Sequence, residues 1–152
     1  MSKIGVFPGS FDPFTKGHEA VIRKSLGVFD KIIIAIGVNN SKKYMFSLEK
    51  RMLHINELFK DDPNVEVQSF QKLTVEFCKD LGANHIVRGL RNSNDFEYEQ
   101  AIAHMNFDIG GIDTVFFLTE QKYNAISSSI IREIHKNGAQ IEQFVTKPHL
   151  LV

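Results

Sequence analysis

The sequence has little of what several protein classes require. One cysteine, Cys78, among 152 residues excludes an internal disulfide framework and a cysteine-rich zinc site. It lies in a helical pattern with apolar neighbours, so it reads as buried filler and not as a reactive thiol. Charge excess is missing as well: 18 Lys and Arg balance 18 Asp and Glu. No global field therefore draws in nucleic acid or an acidic membrane, and any affinity for phosphate has to come from a local cluster. No apolar run approaches the roughly 20 residues of a membrane span. The opening Met1-Ser2-Lys3-Ile4 runs straight into a strand pattern, without the charged and then apolar stretch of a signal peptide. These features point to a cytosolic protein. His54, His85, His104, His135 and His149 show no metal-ligand spacing, so no protein-held metal is expected.

What the chain does have is an alternation. Lys3–Phe7 and Lys31–Val38 read as buried strands, the second too continuously apolar for a one-sided sheet. Val65–Phe70, His85–Arg88 and Thr114–Leu118 read as three more. Between them run stripes of helical period: Ile22, Leu26 and Phe29; Leu48, Met52, Ile55 and Phe59; Leu73, Phe77 and Leu81; Tyr98, Ile102, Met105 and Ile109; then Ser127, Ile131 and Ile134. Strand and helix in alternation predict an α/β fold, a Rossmann-like, doubly wound five-stranded parallel sheet with helices on both faces. With no internal repeat or linker, residues 1–152 read as one domain. Such sheets bind ligands beyond the carboxyl ends of their strands, at a switch in strand order, so the loops after the strands matter most.

The first such loop is Phe7-Pro8-Gly9-Ser10-Phe11-Asp12-Pro13-Phe14-Thr15-Lys16-Gly17-His18. Two prolines and a glycine fix a tight path, and Gly17 lets backbone approach a ligand. The next helix starts near Gly17, so its free N–H groups face the same space. His18 and the Ser10 hydroxyl can each donate to a phosphate oxygen. A lone histidine at a helix start is more often a solvated cap; the whole turn ahead of this one favours function. No Walker loop occurs.

Lys42 and Lys43 follow the second strand, where Lys42 suits a phosphate and Lys43 is left to solvent. Arg88-Gly89-Leu90-Arg91 follows the fourth, ahead of Asp95-Phe96-Glu97-Tyr98-Glu99. Arginine suits bidentate phosphate binding, whereas the bland alternative pairs both arginines with nearby carboxylates. Glu99 can pair with an arginine or accept from a ribose hydroxyl. Tyr98 belongs to an apolar stripe and is expected in the core before it is expected as an adenine platform. After the last strand, Ser127, Ser128 and Ser129 open a helix. One suffices as its cap, and three offer more hydroxyls than capping needs.

Taken in order, Pro8-Gly9-Ser10-Phe11-Asp12-Pro13, Thr15-Lys16-Gly17-His18, Ser41-Lys42-Lys43 with Met45-Phe46, Arg88-Gly89-Leu90-Arg91, Asp95-Phe96-Glu97-Tyr98-Glu99, His104-Met105-Asn106 and Ile126-Ser127-Ser128-Ser129 resemble the phosphopantetheine adenylyltransferases. These belong to the nucleotidyltransferase superfamily marked by a [T/H]-x-G-H motif. The matches span nearly the whole chain, and the arginine segment with Asp-Phe-Glu-Tyr-Glu is the most specific of them. The resemblance implies transfer of the adenylyl group of ATP to 4′-phosphopantetheine, with magnesium accompanying ATP. It implies that His18 stabilises the transition state, helped by Lys42 and Arg91. Ser10 and Phe11 would contact both substrates, and Lys42, Thr74 and Arg88 would lie on the phosphopantetheine side. Gly89, Leu90, Arg91, Glu99 and the loop Tyr123, Asn124, Ala125, Ile126, Ser127, Ser128, Ser129 would hold ATP. It also implies a homohexamer built from two trimers. Thr74 stands where the family often has a larger apolar residue. Asn92-Ser93-Asn94 is more polar than usual, and Tyr123-Asn124-Ala125 lacks a frequent tryptophan or serine-phenylalanine.

The residue types suit that chemistry. No Ser–His–acid set, activated cysteine or paired carboxylates stand together in the motifs. A phosphate nucleophile explains this, because its second pKa of about 6 leaves it largely dianionic at neutral pH without a general base. The rivals are a related enzyme using nicotinamide mononucleotide or glycerol phosphate, a non-catalytic nucleotide sensor, which would be expected to have lost His18 or Lys42, and a class I aminoacyl-tRNA synthetase. The chain is too short and too neutral for the last.

Overall fold

The computed structural model describes residues 2–152. Five strands, β1 (Ile4–Gly9), β2 (Lys31–Gly37), β3 (Val65–Phe70), β4 (His85–Leu90) and β5 (Asp113–Leu118), alternate with α1 (Lys16–Ser25), α2 (Leu48–Leu58), α3 (Thr74–Leu81) and α4 (Ser93–Gly110). After β5 come a 3-10 turn at Gln121–Tyr123, α5 (Ser128–Lys136) and a last 3-10 turn at Pro148–Leu151. All neighbouring strands are parallel, in the order β3-β2-β1-β4-β5. The expected fold class is the one observed.

The continuous apolar run of β2 is explained by burial on both faces. Ile32, Ile34 and Ile36 join Phe7, Val21, Ile22, Ile55 and Phe59 in one core, beneath α1 and α2. Ile33 and Ala35 join Val6, Val75, Phe77 and Cys78 in the other, beneath α3. Successive strand residues point to opposite faces, so a strand buried twice has no polar alternate. A third cluster of Phe46, Ile131, Ile141, Val145 and Leu151 ties α5 and the C-terminal segment to the β2–α2 loop.

The chain winds outward from β1 to β3, then returns to place β4 on the other side of β1. The switch point therefore lies between β1 and β4. Those two strands pair only at Gly5↔His85 and Val6↔Ile86, whereas β1 and β2 stay in register from Ile4↔Lys31 to Gly9↔Ile36. Beyond Val6 and Ile86 the ladder stops, and the loops that follow β1 and β4 border the cleft.

Three expectations need correction. The stripe Tyr98, Ile102, Met105 and Ile109 on α4 is not core: their exposures are 68%, 39%, 58% and 57%. Periodicity shows that a helix has an apolar face but not what covers it, and the residue α4 buries is Glu99. Leu73 is not on a buried helix face either; it is the N-cap of α3 and 56% exposed. Phe29 is core but lies beyond the end of α1, after the turn that leads into β2. Among the described residues no helix is long and apolar enough to cross a membrane.

Candidate active site at the β1–β4 switch point

Thr15 caps α1 through a reciprocal box: its Oγ1 accepts from His18 N–H at 3.2 Å, and its own N–H donates to His18 Nδ1 at 3.0 Å. A backbone amide can only donate, so Nδ1 carries no proton, and the neutral ring is protonated at Nε2. The ring sits among Phe11, Phe14 and Phe7, with centroids 5.0, 5.2 and 5.9 Å away. This burial, with the charges of Arg88 and Arg91 added, pushes the His18 pKa down to about 3. The group is thus both a cap and a neutral N–H donor, and it lines a cavity of about 390 Å³. The cap and the functional role are not alternatives.

The same cavity brings together most of the expected residues. Ser10, Phe11, Lys42, Arg88, Gly89, Arg91 and Glu99 line it, as do Tyr123, Ile126 and the three serines Ser127, Ser128 and Ser129. Lys42 reaches over the first loop, its Nζ 3.4 Å from Ser10 Oγ. Leu90, Asn124 and Ala125 are not among the residues that line it; Leu90 ends β4 paired with Leu118. Thr74 lies in an adjoining groove of about 290 Å³ with Phe70, Ile86, Tyr98, Ile102 and Asn106. Ser10, Arg88 and Glu99 border both spaces.

Both arginines pair with nearby carboxylates, and both line the cavity. Arg88 grips the nearly buried Glu99 carboxylate with Nε at 3.0 and 3.1 Å and Nη2 at 2.6 Å, and Nη1 donates to the Pro8 carbonyl. Glu99 is therefore an arginine partner before it is a ribose acceptor. Arg91 holds Asp95 through Nε at 3.0 Å and reaches Ile126 O at 3.1 Å. That hydrogen bonding keeps Asp95 below its usual pKa in spite of its burial, which acts the other way. Gly89 lines the cavity and also packs closely, since a Cβ there would stand 2.7 Å from Val21 Cγ2.

The serines divide their work. Ser127 Oγ caps α5 by accepting from Ile130 N–H at 3.2 Å, Ser128 Oγ donates to Pro13 O at 2.8 Å, and Ser129 Oγ accepts from Arg132 at 3.2 Å. The capped starts of α1 and α5 thus face one cavity, whose positive dipole ends suit a polyphosphate.

Sequence reading missed three contributors. Arg132 lines the cavity one turn beyond Ser128 and donates to Asp12 O at 2.9 Å. Its spacing of four from Ser128, on the same helix face, was a usable signal. Asp12 accepts from Met45 N–H and Phe46 N–H at 2.8 and 2.9 Å, joining the first two loops. Arg51 is buried beneath them, and nothing in the sequence marks it. Among the described residues neither Lys42 nor Arg132 has an ion-pair partner. Cys78 is buried and its thiol is pushed up to about 11 by desolvation, in line with filler.

Comparison with known proteins decides the family. A cytidylyltransferase-like family model matches residues 6–134. The phosphopantetheine adenylyltransferase of Flavobacterium psychrophilum is 54% identical over 140 residues, 92% of this chain and 93% of that one. That of Cytophaga hutchinsonii is 49% identical over 146 residues, 95% and 97% of the two chains. The chain belongs to the phosphopantetheine adenylyltransferases. More distant solved structures share the fold. One is a proposed nicotinate-nucleotide adenylyltransferase from Vibrio parahaemolyticus, with a TM-score of 0.68 at 22% identity, covering 99% of this chain and 96% of that one. Another is the bifunctional NMN adenylyltransferase/ADP ribose pyrophosphatase of Francisella tularensis, with a TM-score of 0.69 at 22% identity, covering 97% of this chain and 46% of that one. In this phosphopantetheine adenylyltransferase, His18, Lys42, Arg88 and Arg91 stand around one cleft.

Proposed function

We propose that this chain transfers the adenylyl group of ATP to 4′-phosphopantetheine, giving dephospho-coenzyme A and pyrophosphate, by direct in-line attack. The observation that carries the proposal is the joining of two spaces at Ser10, Arg88 and Glu99. A polar cleft with two helix N-termini suits the triphosphate. The groove beside it, lined by Phe70, Thr74, Ile86, Tyr98, Ile102 and Asn106, suits a flexible arm of amides and methylenes better than a flat charged pyridine.

A phosphate oxygen of the acceptor forms a bond to the α-phosphorus as the bond from that phosphorus to the bridging α–β oxygen breaks, and its electron pair leaves with pyrophosphate. No general base is needed, because the attacking phosphate is already an anion. The work is positioning two polyanions and stabilising charge at the α-phosphorus. Lys42 holds the acceptor phosphate, and its proximity to Ser10 puts that phosphate at the junction of the two spaces. His18 donates Nε2–H to a non-bridging α-phosphate oxygen as negative charge grows there. Arg91 lines the ATP cleft and supports the Tyr123–Ser129 loop, and Arg132 and the start of α5 meet the departing phosphates.

Magnesium enters with ATP. Among the described residues no three His, Cys, Asp or Glu groups cluster to hold an ion, and the cleft's Asp95 and Glu99 carboxylates are committed to arginines. Magnesium would be held mainly by phosphate oxygens and water, and would neutralise part of the triphosphate charge. A reaction that consumes ATP fits a cytoplasmic enzyme. The exposed apolar face of α4 supports a homohexamer of two trimers, because such a face is normally covered.

The test is a panel of acceptors. Pyrophosphate release from MgATP with 4′-phosphopantetheine, and not with nicotinamide mononucleotide or glycerol phosphate, is the expected result. Release with one of the other acceptors alone overturns the substrate assignment. Trapping of an adenylyl-enzyme without acceptor overturns the direct attack.

A further inference from the structure

We infer that Arg51 is a positioning residue for this reaction: it holds the Ser10–Phe11 peptide in the orientation that presents the Phe11 N–H to a substrate phosphate. The inference rests on the adenylyl-transfer reading of the same cavity and adds a residue outside it.

Arg51 lies on α2 and is 1% exposed. Among the described residues it has no salt-bridge partner. Its guanidinium is instead spread over two backbone carbonyls and a ring. Nε donates to Phe46 O at 3.0 Å, Nη1 donates to Ser10 O at 2.7 Å, and the group stacks 4.2 Å above the Tyr44 ring. Burying a charge is costly, and an apolar side chain of similar volume is often at least as stable. The two carbonyls it serves both belong to loops at the cleft.

The Ser10 carbonyl precedes a residue with unusual backbone. Phe11 has φ of 49°, a left-handed value that a bulky non-glycine residue rarely adopts and that persists only when its surroundings impose it. A trans peptide sends its C=O and N–H in opposite directions. With the carbonyl turned to Arg51, the Phe11 N–H faces away from it, and Phe11 and Ser10 both line the cavity. That N–H has no acceptor among the described residues. A free, fixed amide donor in such a cleft is an oxyanion-type group.

The hold on this peptide is referenced to a rigid partner. Phe46 is buried; it donates its N–H to Asp12 Oδ1 at 2.9 Å and accepts from Arg51. Asp12 Oδ2 takes Met45 N–H at 2.8 Å. The loop carrying Ser10 and the loop carrying Lys42 are thus cross-tied by one acid and one arginine, which fixes the Phe11 amide relative to the lysine.

The experiment measures kcat, KM for MgATP and Tm in Arg51→Met, Arg51→Lys and Cys78→Ala. Cys78 packs on the opposite face of the sheet, so its variant reports what lost stability alone does to turnover. Arg51→Met is expected to lower kcat about a hundredfold, the size of a misplaced catalytic contact, with KM for MgATP within about threefold. A fall less than tenfold beyond that of Cys78→Ala overturns the inference. Should the methionine variant not fold, Arg51→Lys is read against the same limit, since lysine keeps the charge but not the two-pronged geometry. Independently of turnover, the Phe11 amide resonance is expected to shift on MgATP addition to the wild type and to lose that shift in whichever Arg51 variant folds. An unchanged shift overturns the role even if the acceptor has been misassigned.

Discussion

Arg88 and Glu99 form a bidentate pair on the boundary between the two spaces of the site, with Arg88 Nη2 2.6 Å from Glu99 Oε1 and Nε 3.0 Å from Oε2. The Glu99 side chain is 9% exposed and that of Arg88 31%. Removing one partner of such a pair leaves the other charge desolvated and alone. Glu99→Gln is expected to cost about 2 kcal/mol, reduced from the fully buried value because Arg88 is partly solvated. That corresponds to a Tm lower by about 4–8 °C for a chain of this size, with a raised KM for the acceptor. Thermal unfolding and steady-state kinetics check both; an unchanged Tm would show that solvent already screens the pair.

The His18 ring should stay neutral across the working range. Its folded pKa is lowered from 6.5 to about 3, so below about pH 6.5 the unfolded chain binds a proton that the folded one refuses. The stability this group contributes is present above pH 6.5 and is lost as pH falls toward 3. Ring 15N shifts are expected to show the Nε2–H form with no titration between pH 8 and about 5. A midpoint near 6.5 would refute the donor assignment.

Lys42 is solvent-exposed and unpaired among the described residues, so its loss should hurt binding and spare the fold. Lys42→Ala is expected to raise the acceptor KM by roughly tenfold to a hundredfold, the range of one charge-assisted hydrogen bond of about 1.5–3 kcal/mol. Stability should stay within about 0.5 kcal/mol. A normal acceptor KM would move the acceptor phosphate elsewhere in the cleft.

The uncovered side of α4 predicts assembly. Met105 and Ile109 are more than half exposed, and two charges there should break an apolar contact. Sedimentation is expected to give a hexamer for the wild type and a smaller species for Met105→Glu combined with Ile109→Lys. A monomeric wild type would leave the apolar face of α4 unexplained by self-association.

The strands and the loop residues were legible in the sequence because each obeys a local rule. The run Ile32-Ile33-Ile34-Ala35-Ile36 announces burial on both faces, and a glycine-histidine start announces a helix N-terminus, here at a cavity. What stayed hidden depends on long-range contact. The pairing of Arg88 with Glu99 spans a strand end and a helix turn, and the sequence left it open against a ribose role. The α4 stripe obeys the helical period, but nothing within the described residues covers it. Arg51 looks like any surface arginine of an amphipathic helix; only the fold shows it lying under Ser10 and Phe46.

The central claim is that a neutral His18 stabilises the transition state of adenylyl transfer to 4′-phosphopantetheine. The most direct measurement is pyrophosphate release from MgATP with that acceptor, for the wild type and for His18→Ala, alongside ATP binding. Acceptor-dependent release that falls about a hundredfold or more in the variant, with ATP still bound, is the predicted result for a lost electrostatic donor. Equal release by both proteins, or none by the wild type, would contradict it.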